Sequence, residues 1–277
     1  MRDESRPVST SESTPARVEP VPGEPAATAT IGSERALFVA DYHAGYEAGL
    51  RYERGVDVPS RAPDRRDRLL SLLERTRPDR LVVLGDLMHS IGDPGGAERG
   101  ELEVLFESFA ADLAVTVVKG NHDGRIETWL ADGDDIEAVV DVVPGDGIAL
   151  GDVGVCHGHT WPSAAALESD VLCLGHEHPC VRLEDEVGGS RVERAWLRGR
   201  LDPAPFGDRP EYDGVSWLEG DAESPRVVVF PAFNDLVGGT WINVTGQSFL
   251  SPFLPAGLAE GEAYLLDGTR LGSYESV

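Results

Sequence analysis

Val115-Thr116-Val117-Val118-Lys119-Gly120-Asn121-His122-Asp123 joins two kinds of sequence in one short stretch. Its first four residues read as a buried strand, because β-branched side chains suit a pleated surface and are stiff in a helix. The run stops at a glycine, which lets the backbone turn sharply. Three polar side chains follow at once. The same pattern recurs upstream. Residues 36–40 (ALFVA) are apolar and end at Asp41-Tyr42-His43, and residues 81–84 (LVVL) end at Gly85-Asp86-Leu87-Met88-His89. Helical patterns separate these runs: Leu69, Leu70, Leu72 and Leu73 within residues 64–75, then Leu102, Leu105, Phe106, Phe109 and Leu113. Strand–helix alternation of this kind predicts an α/β fold with a mostly parallel sheet and crossover helices.

Beyond about Val139 the spacing tightens. Apolar runs at 148–150, 153–156, 171–174, 191–197 and 226–230 predict a second sheet packed on the first. Residues 198–223 are acidic and rich in Gly and Pro, and read as an irregular excursion. At the other end, residues 1–15 are polar and rich in Ser and Thr, which predicts a disordered tail. Residues 16–31 suggest an edge strand or two. With no internal repeat and no linker composition, residues 16–277 read as a single domain.

Of the 277 residues, 49 are acidic and 24 basic, for a formal net charge of −25. Lys119 is the one lysine. Such a chain repels itself. In molar salt the Debye length is only about 3 Å, so the repulsion is screened. The composition therefore reads as salt-adapted, pointing to a halophile. No run of Lys or Arg marks a basic face for nucleic acid, a weak exclusion where the whole surface is acidic. Cys156, Cys173 and Cys180 form no CxxC pair, which fits a reducing cytoplasm. The first residues lack the apolar stretch of a secretory signal, and no apolar run is long enough to span a membrane.

The seven histidines each sit just after a strand-like run, beside Gly, Asp or Asn. To the three strand ends above are added His157-Gly158-His159 and Gly175-His176-Glu177-His178. In open α/β sheets ligands bind outside the carboxyl ends of the strands. Imidazole, carboxylate and amide oxygen without thiolate suit Mn, Fe or Zn better than a soft metal. Two divalent ions about 3.5–4 Å apart can clamp an in-line displacement at phosphorus. Taken alone, each motif has a plainer explanation: Asp41/His43 as a strand-end turn, Gly85-Asp86 as a common turn, Asn121 as a helix cap, His176 and His178 as one face of a strand. Together and in order, at five strand ends, they argue for one site.

The ordered series Asp-x-His, Gly-Asp-x-x-His, Gly-Asn-His-Asp, His-Gly-His and Gly-His-x-His resembles the calcineurin-like metallophosphoesterase superfamily. His89 stands where the common second motif has Asp. That variant, with Pro179, Pro231-Ala232-Phe233-Asn234 and Gly238-Gly239, is similar to the ICC-like, ligase-associated branch. The resemblance implies a double β-sandwich flanked by helices, in four layers α/β/β/α. It implies two divalent metal ions, Mn2+ foremost, with Fe, Zn or Ni as alternatives. Asp41, His43, Asp86 and His178 would hold the first. Asp86, Asn121, His157 and His176 would hold the second, with Asp86 bridging. His122 would stabilise developing charge and help the leaving oxygen, and Asp123 would orient His122.

The activity so implied is phosphoester hydrolysis through a metal-bridging hydroxide, with nucleic-acid or nucleotide phosphodiesters as first choice of substrate. The alternatives are a phosphomonoesterase on a small metabolite, or a non-catalytic scaffold of the same fold. Scaffolds such as the retromer subunit lack a complete catalytic set, whereas this chain keeps His122 and every ligand position. His89 reads as packing against or hydrogen-bonding a ligand. For His159, substrate contact and a backbone hydrogen bond stay open. Residues 45–61, with Arg51, Arg54 and Arg61, read either as a lid or as ordinary surface. The three thiols read as structural.

Overall fold

A computed structural model describes residues 17–131, 138–185 and 187–277; the expected tail at 1–15 lies outside the described residues. The first sheet runs, in spatial order, β1 (Glu19–Pro20), β2 (Ala26–Ile31), β3 (Glu34–Val39), β4 (Arg80–Val83), β5 (Ala114–Val118) and β6 (Val139–Val143). From β3 to β6 the strands are parallel. β1 and β2 extend one edge antiparallel. The second sheet contains β7 (Ile148–Leu150), β8 (Val153–Cys156), β9 (Val171–Leu174), β10 (Cys180–Glu184), β11 (Ser190–Leu201), β12 (Arg226–Val229), β13 (Leu258–Leu265) and β14 (Arg270–Ser273). Its order is β14-β13-β11-β12-β9-β8-β7, with β10 paired to β11. β8, β9 and β12 are parallel to one another.

Two details add to the expectation. Val139 begins the last strand of the first sheet, a strand that the sequence pattern does not single out. β6 is an edge strand with half-open faces, so its pattern carries little information about which sheet it joins. The second sheet also keeps a parallel centre, and so its strands deliver their carboxyl ends to one edge, as the first sheet's do.

Period-two alternation on β3 divides the molecule. Leu37 and Val39 face helices α2 (Ala62–Thr76), α3 (Gly96–Glu107) and α4 (Ile126–Ala131), meeting Leu69, Leu72, Leu102, Phe106 and Trp129. Ala36 and Phe38 face the other sheet and meet Val155, Cys173, Trp196 and Phe230. Each fully buried leucine of this kind contributes about 1.5–3 kcal/mol. The outer face of the second sheet, with Leu172, Leu174 and Leu197, is sealed by Phe206, Tyr212, Trp217 and Phe253. The four-layer α/β arrangement is therefore present. Its fourth layer is mostly irregular chain, with one four-residue helix, α5 (Ala164–Leu167). The acidic excursion is part of that layer; it is anchored by aromatic residues, and β11 runs on to Leu201 before it begins. The remaining helix, α1 (Tyr46–Arg54), follows the first motif directly.

No described helix is long and apolar enough to cross a membrane.

Candidate metal centre

Because β3, β4, β5, β8 and β9 share a direction within each sheet, the five motifs leave their strands at one place. The loops then continue the pairing beyond the strands. Asp41 N–H donates to Gly85 O, His43 N–H to Asp86 O, and Gly175 N–H to His157 O. Among the described residues, seven that are not glycine have positive φ, and five of them are Asp41, His43, Asp86, His176 and His178. Strain of this kind persists only where surrounding structure over-determines it, and it clusters at functional sites.

The glycines of the motifs are there for room. A Cβ on Gly120 would lie 1.9 Å from Asp86 Oδ1, and one on Gly85 would lie 2.2 Å from His157 Nδ1. Each glycine thus admits a functional side chain from a different motif.

Among the described residues the side chains gather into three groups, Asp41–His43–His178, Asp86–His157–His176 and His43–His89–His122, in each of which one donor atom per residue lies within 4.8 Å of the others; the first two, which hold the carboxylates, are the donor clusters considered below. Asp86 touches both. Its Oδ2 is 3.7 Å from His43 Nε2 and 3.5 Å from His157 Nε2. Asn121 Oδ1 lies 3.2 Å from His157 Nε2. All the predicted ligand positions are therefore brought together.

The donor chemistry calls for cations. His178 Nδ1 faces Gly238 O at 2.8 Å and His157 Nδ1 faces Leu84 O at 2.7 Å. Donation there leaves each Nε2 with a lone pair. His178 Nε2 sits 3.1 Å from Asp41 Oδ1, buried and without a well-formed hydrogen bond. His157 Nε2 lies 3.5 Å from Asp86 Oδ2 and 3.2 Å from Asn121 Oδ1, within hydrogen-bonding distance of the amide oxygen. Acceptors converging on acceptors repel unless a proton or a cation lies between them. These residues fit divalent ions.

Without a bound cation, protons on the imidazoles supply the positive charge that the two carboxylates attract. For Asp41, burial is outweighed by His178 and His157, so its carboxyl lies below the usual range. Burial likewise opposes ionisation of Asp86, but His157, His43 and His122 outweigh it and lower its pKa. His157 is buried, yet the bond and charge of Asp86 raise it to about 9. Burial keeps His43 and His176 neutral, at about 3 and about 4. The thiols take no part. Burial pushes Cys180 up to about 11 and raises Cys156 as well, so both stay protonated.

His122 donates its backbone N–H to Asp86 Oδ1 at 3.0 Å. Its ring Nδ1 meets the His89 carbonyl oxygen, and Nε2 lies 3.9 Å from Asp86 Oδ2. Among the described residues, no hydrogen bond joins the Asp123 carboxylate to the His122 ring. The Asp123 carboxylate instead accepts backbone N–H groups of Met88 at 2.9 Å, Gly120 at 2.8 Å and Leu87 at 3.3 Å. It ties the second motif loop to the third, and it reaches His122 only through the chain. Burial and then the charge of Asp86 raise Asp123 to about 6.

His89 stands beside the clusters, its Nδ1 3.5 Å from His43 Nδ1 and its ring stacked on His122. His159 Nδ1 is buried and unbonded, and its ring lies 6.0 Å from that of His176. The 45–61 segment is anchored. Glu47 on α1 and Glu101 on α3 both grip buried Arg65, at 3.2 and 2.6 Å, and Glu101 also accepts Gly45 N–H. A lid opening here would have to break that triad. Arg51 is paired with Asp57, and Arg61 with Asp64 and Asp235.

Three supporting residues had no role in the sequence reading. Buried Asn234 donates Nδ2–H to the carbonyls of Tyr42 and His43. Buried Glu98 accepts the backbone N–H groups of His89 and Ser90. Glu177, between His176 and His178, binds two distant loops. Asn234 and Glu177 are visible only within motifs, and Glu98 gives no sequence signal.

Fold and site together define a metal-dependent phosphoester hydrolase. Residues 34–198, more than half of the chain, match the family described as calcineurin-like phosphoesterase, and the chain belongs to that family. Among solved structures it is similar to the Pseudomonas putida nuclease MPE, at 18% identity and a TM-score of 0.50, over 92% of this chain and 100% of that one. It also matches YfcE, a phosphoesterase from E. coli, at 20% identity and a TM-score of 0.33, over 54% of this chain and 73% of that one. No curated protein matches the chain.

Proposed function

We propose that this protein hydrolyses phosphodiesters, nucleic acid or nucleotide, at a centre of two divalent ions. The observation that carries the reading is the position of Asp86, one carboxylate within reach of both donor clusters. Asp41, His43 and His178 would hold one ion with Asp86, and Asn121, His157 and His176 the other. When bound, two such ions act as Lewis acids toward phosphorus and supply a nucleophile from water at neutral pH. Mn2+ is the first choice, with Fe, Zn or Ni next, because the donors are imidazole, carboxylate and amide. His122, held by the His89 carbonyl, would place a proton on the leaving oxygen. Asp123 would fix the loop that carries it. The nuclease named among the structural neighbours supports the choice of a diester. Three free, buried cysteines suit a reducing, cytoplasmic setting.

The test uses a phosphoester panel, monoesters included, with Mn2+, Zn2+, Fe2+ and Ni2+ in molar KCl. His122→Ala should keep its metals while hydrolysis falls by about 10²–10⁴, the range for losing a positioned acid or base. The fall should be greater for a dinucleotide, whose alkoxide needs a proton, than for bis-nitrophenyl phosphate. Equal losses on both would remove the leaving-group role of His122. Turnover of monoesters alone would replace the diester reading with a phosphomonoesterase.

A further inference from the structure

Glu177 is fully buried, yet it lies in the shortest link between two ligand histidines. Its Oε1 accepts N–H from Leu250 at 2.8 Å and from Ser251 at 2.5 Å. Its Oε2 accepts the Thr240 hydroxyl at 2.8 Å. The Thr240 N–H returns to the Glu177 carbonyl at 3.0 Å, and Gly238 O receives His178 Nδ1–H. The residues on either side, His176 and His178, both hold left-handed backbone, with φ of 68° and 45°. One side chain therefore pins the strained turn to two loops.

The charge of Glu177 is the feature that hydrogen bonding leaves unexplained. All three donors are neutral, and among the described residues Glu177 makes no ion pair. A neutral amide would keep the two backbone donors on its one oxygen and reverse the third bond, its NH2 donating to the Thr240 hydroxyl. A buried carboxylate without a cation partner is costly. The counter-charge it lacks within the protein is what a bound divalent pair would provide.

We propose that Glu177 is a positioning residue for the metal centre. It holds the His176–His178 turn in place and, as a buried anion, raises the affinity of that turn for its cations. The proposal rests on the metal-centre reading above.

Mn2+ binding to the full chain tests it, by titration calorimetry in molar KCl, beside melting of the metal-free protein. Glu177→Gln keeps the volume and the two backbone N–H bonds while removing the charge, and its NH2 would donate to the Thr240 hydroxyl in place of accepting from it. Its Mn2+ dissociation constant should rise about 10–100-fold, the usual cost of losing a group that supports a ligand. Its metal-free melting temperature should hold or rise. Thr240→Val removes one donor and keeps the charge, and should bind Mn2+ nearly as the wild type does. Wild-type affinity in Glu177→Gln would overturn the proposal. An equal loss in Thr240→Val would also overturn it, by assigning the effect to the hydrogen bonds. Failure of the wild type to bind Mn2+, Zn2+, Fe2+ or Ni2+ would instead sink the metal-centre reading itself.

Discussion

Asp86 stands at the junction of the two donor clusters and receives the His122 backbone N–H as well. Removing its carboxylate takes away an anion whose Oδ2 lies within 3.7 Å of ring nitrogens from both sets of ligands. Asp86→Ala should therefore lose both ions together, not one. Metal analysis of the purified variant decides this, and two ions retained at full occupancy would remove the bridging assignment. The residue scale is also where the sequence was most readable. Asp41, His43, Asp86, Asn121, His157, His176 and His178 were each marked by a strand end, and the fold gathers them. Asp123 would act on His122 through the loop and not by a side-chain contact. It follows His122 in sequence, but its carboxylate turns to Met88, 35 residues away. Adjacency in the chain says nothing of where a side chain points.

Among the elements, α1 shows what sequence pattern could not give. Gly49 lets the helix approach His89, because a Cβ there would meet His89 Cδ2 at 2.7 Å. Beneath it, Arg65 of α2 lies between Glu47 and Glu101, with its guanidinium 5.3 Å from the centre of the Tyr42 ring. The triad thus supports the loop that carries Asp41 and His43. Arg65→Ala would leave two buried carboxylates facing each other without a cation. Breaking a buried pair in this way costs about 3–5 kcal/mol. Denaturant unfolding at fixed salt measures the loss, and a change below about 1 kcal/mol would show that the triad is solvated.

For the whole molecule the formal net charge is −25, and the self-repulsion it implies is screened by salt. The core between the sheets draws on both of them, which supports one cooperative unit over the described residues. The expected behaviour is a single unfolding transition at molar KCl and loss of structure at low ionic strength, where the Debye length grows to about 30 Å at 0.01 M. Circular dichroism across a salt series tests this. A fold unchanged in dilute buffer would count against salt adaptation.

The sequence alone determined the α/β class, the strand ends and the polar residues that the fold gathers there, because each is written locally, in apolar period and in the polar residues after a glycine. Tertiary structure decided which sheet β6 joins, what holds His122, and how Glu177, Asn234 and Arg65 support the centre. Glu177 meets Ser251 at a separation of 74 residues, and Asn234 meets His43 at 191. Contacts so distant leave no periodic trace, since they depend on where whole elements pack and not on what their neighbours in the chain are.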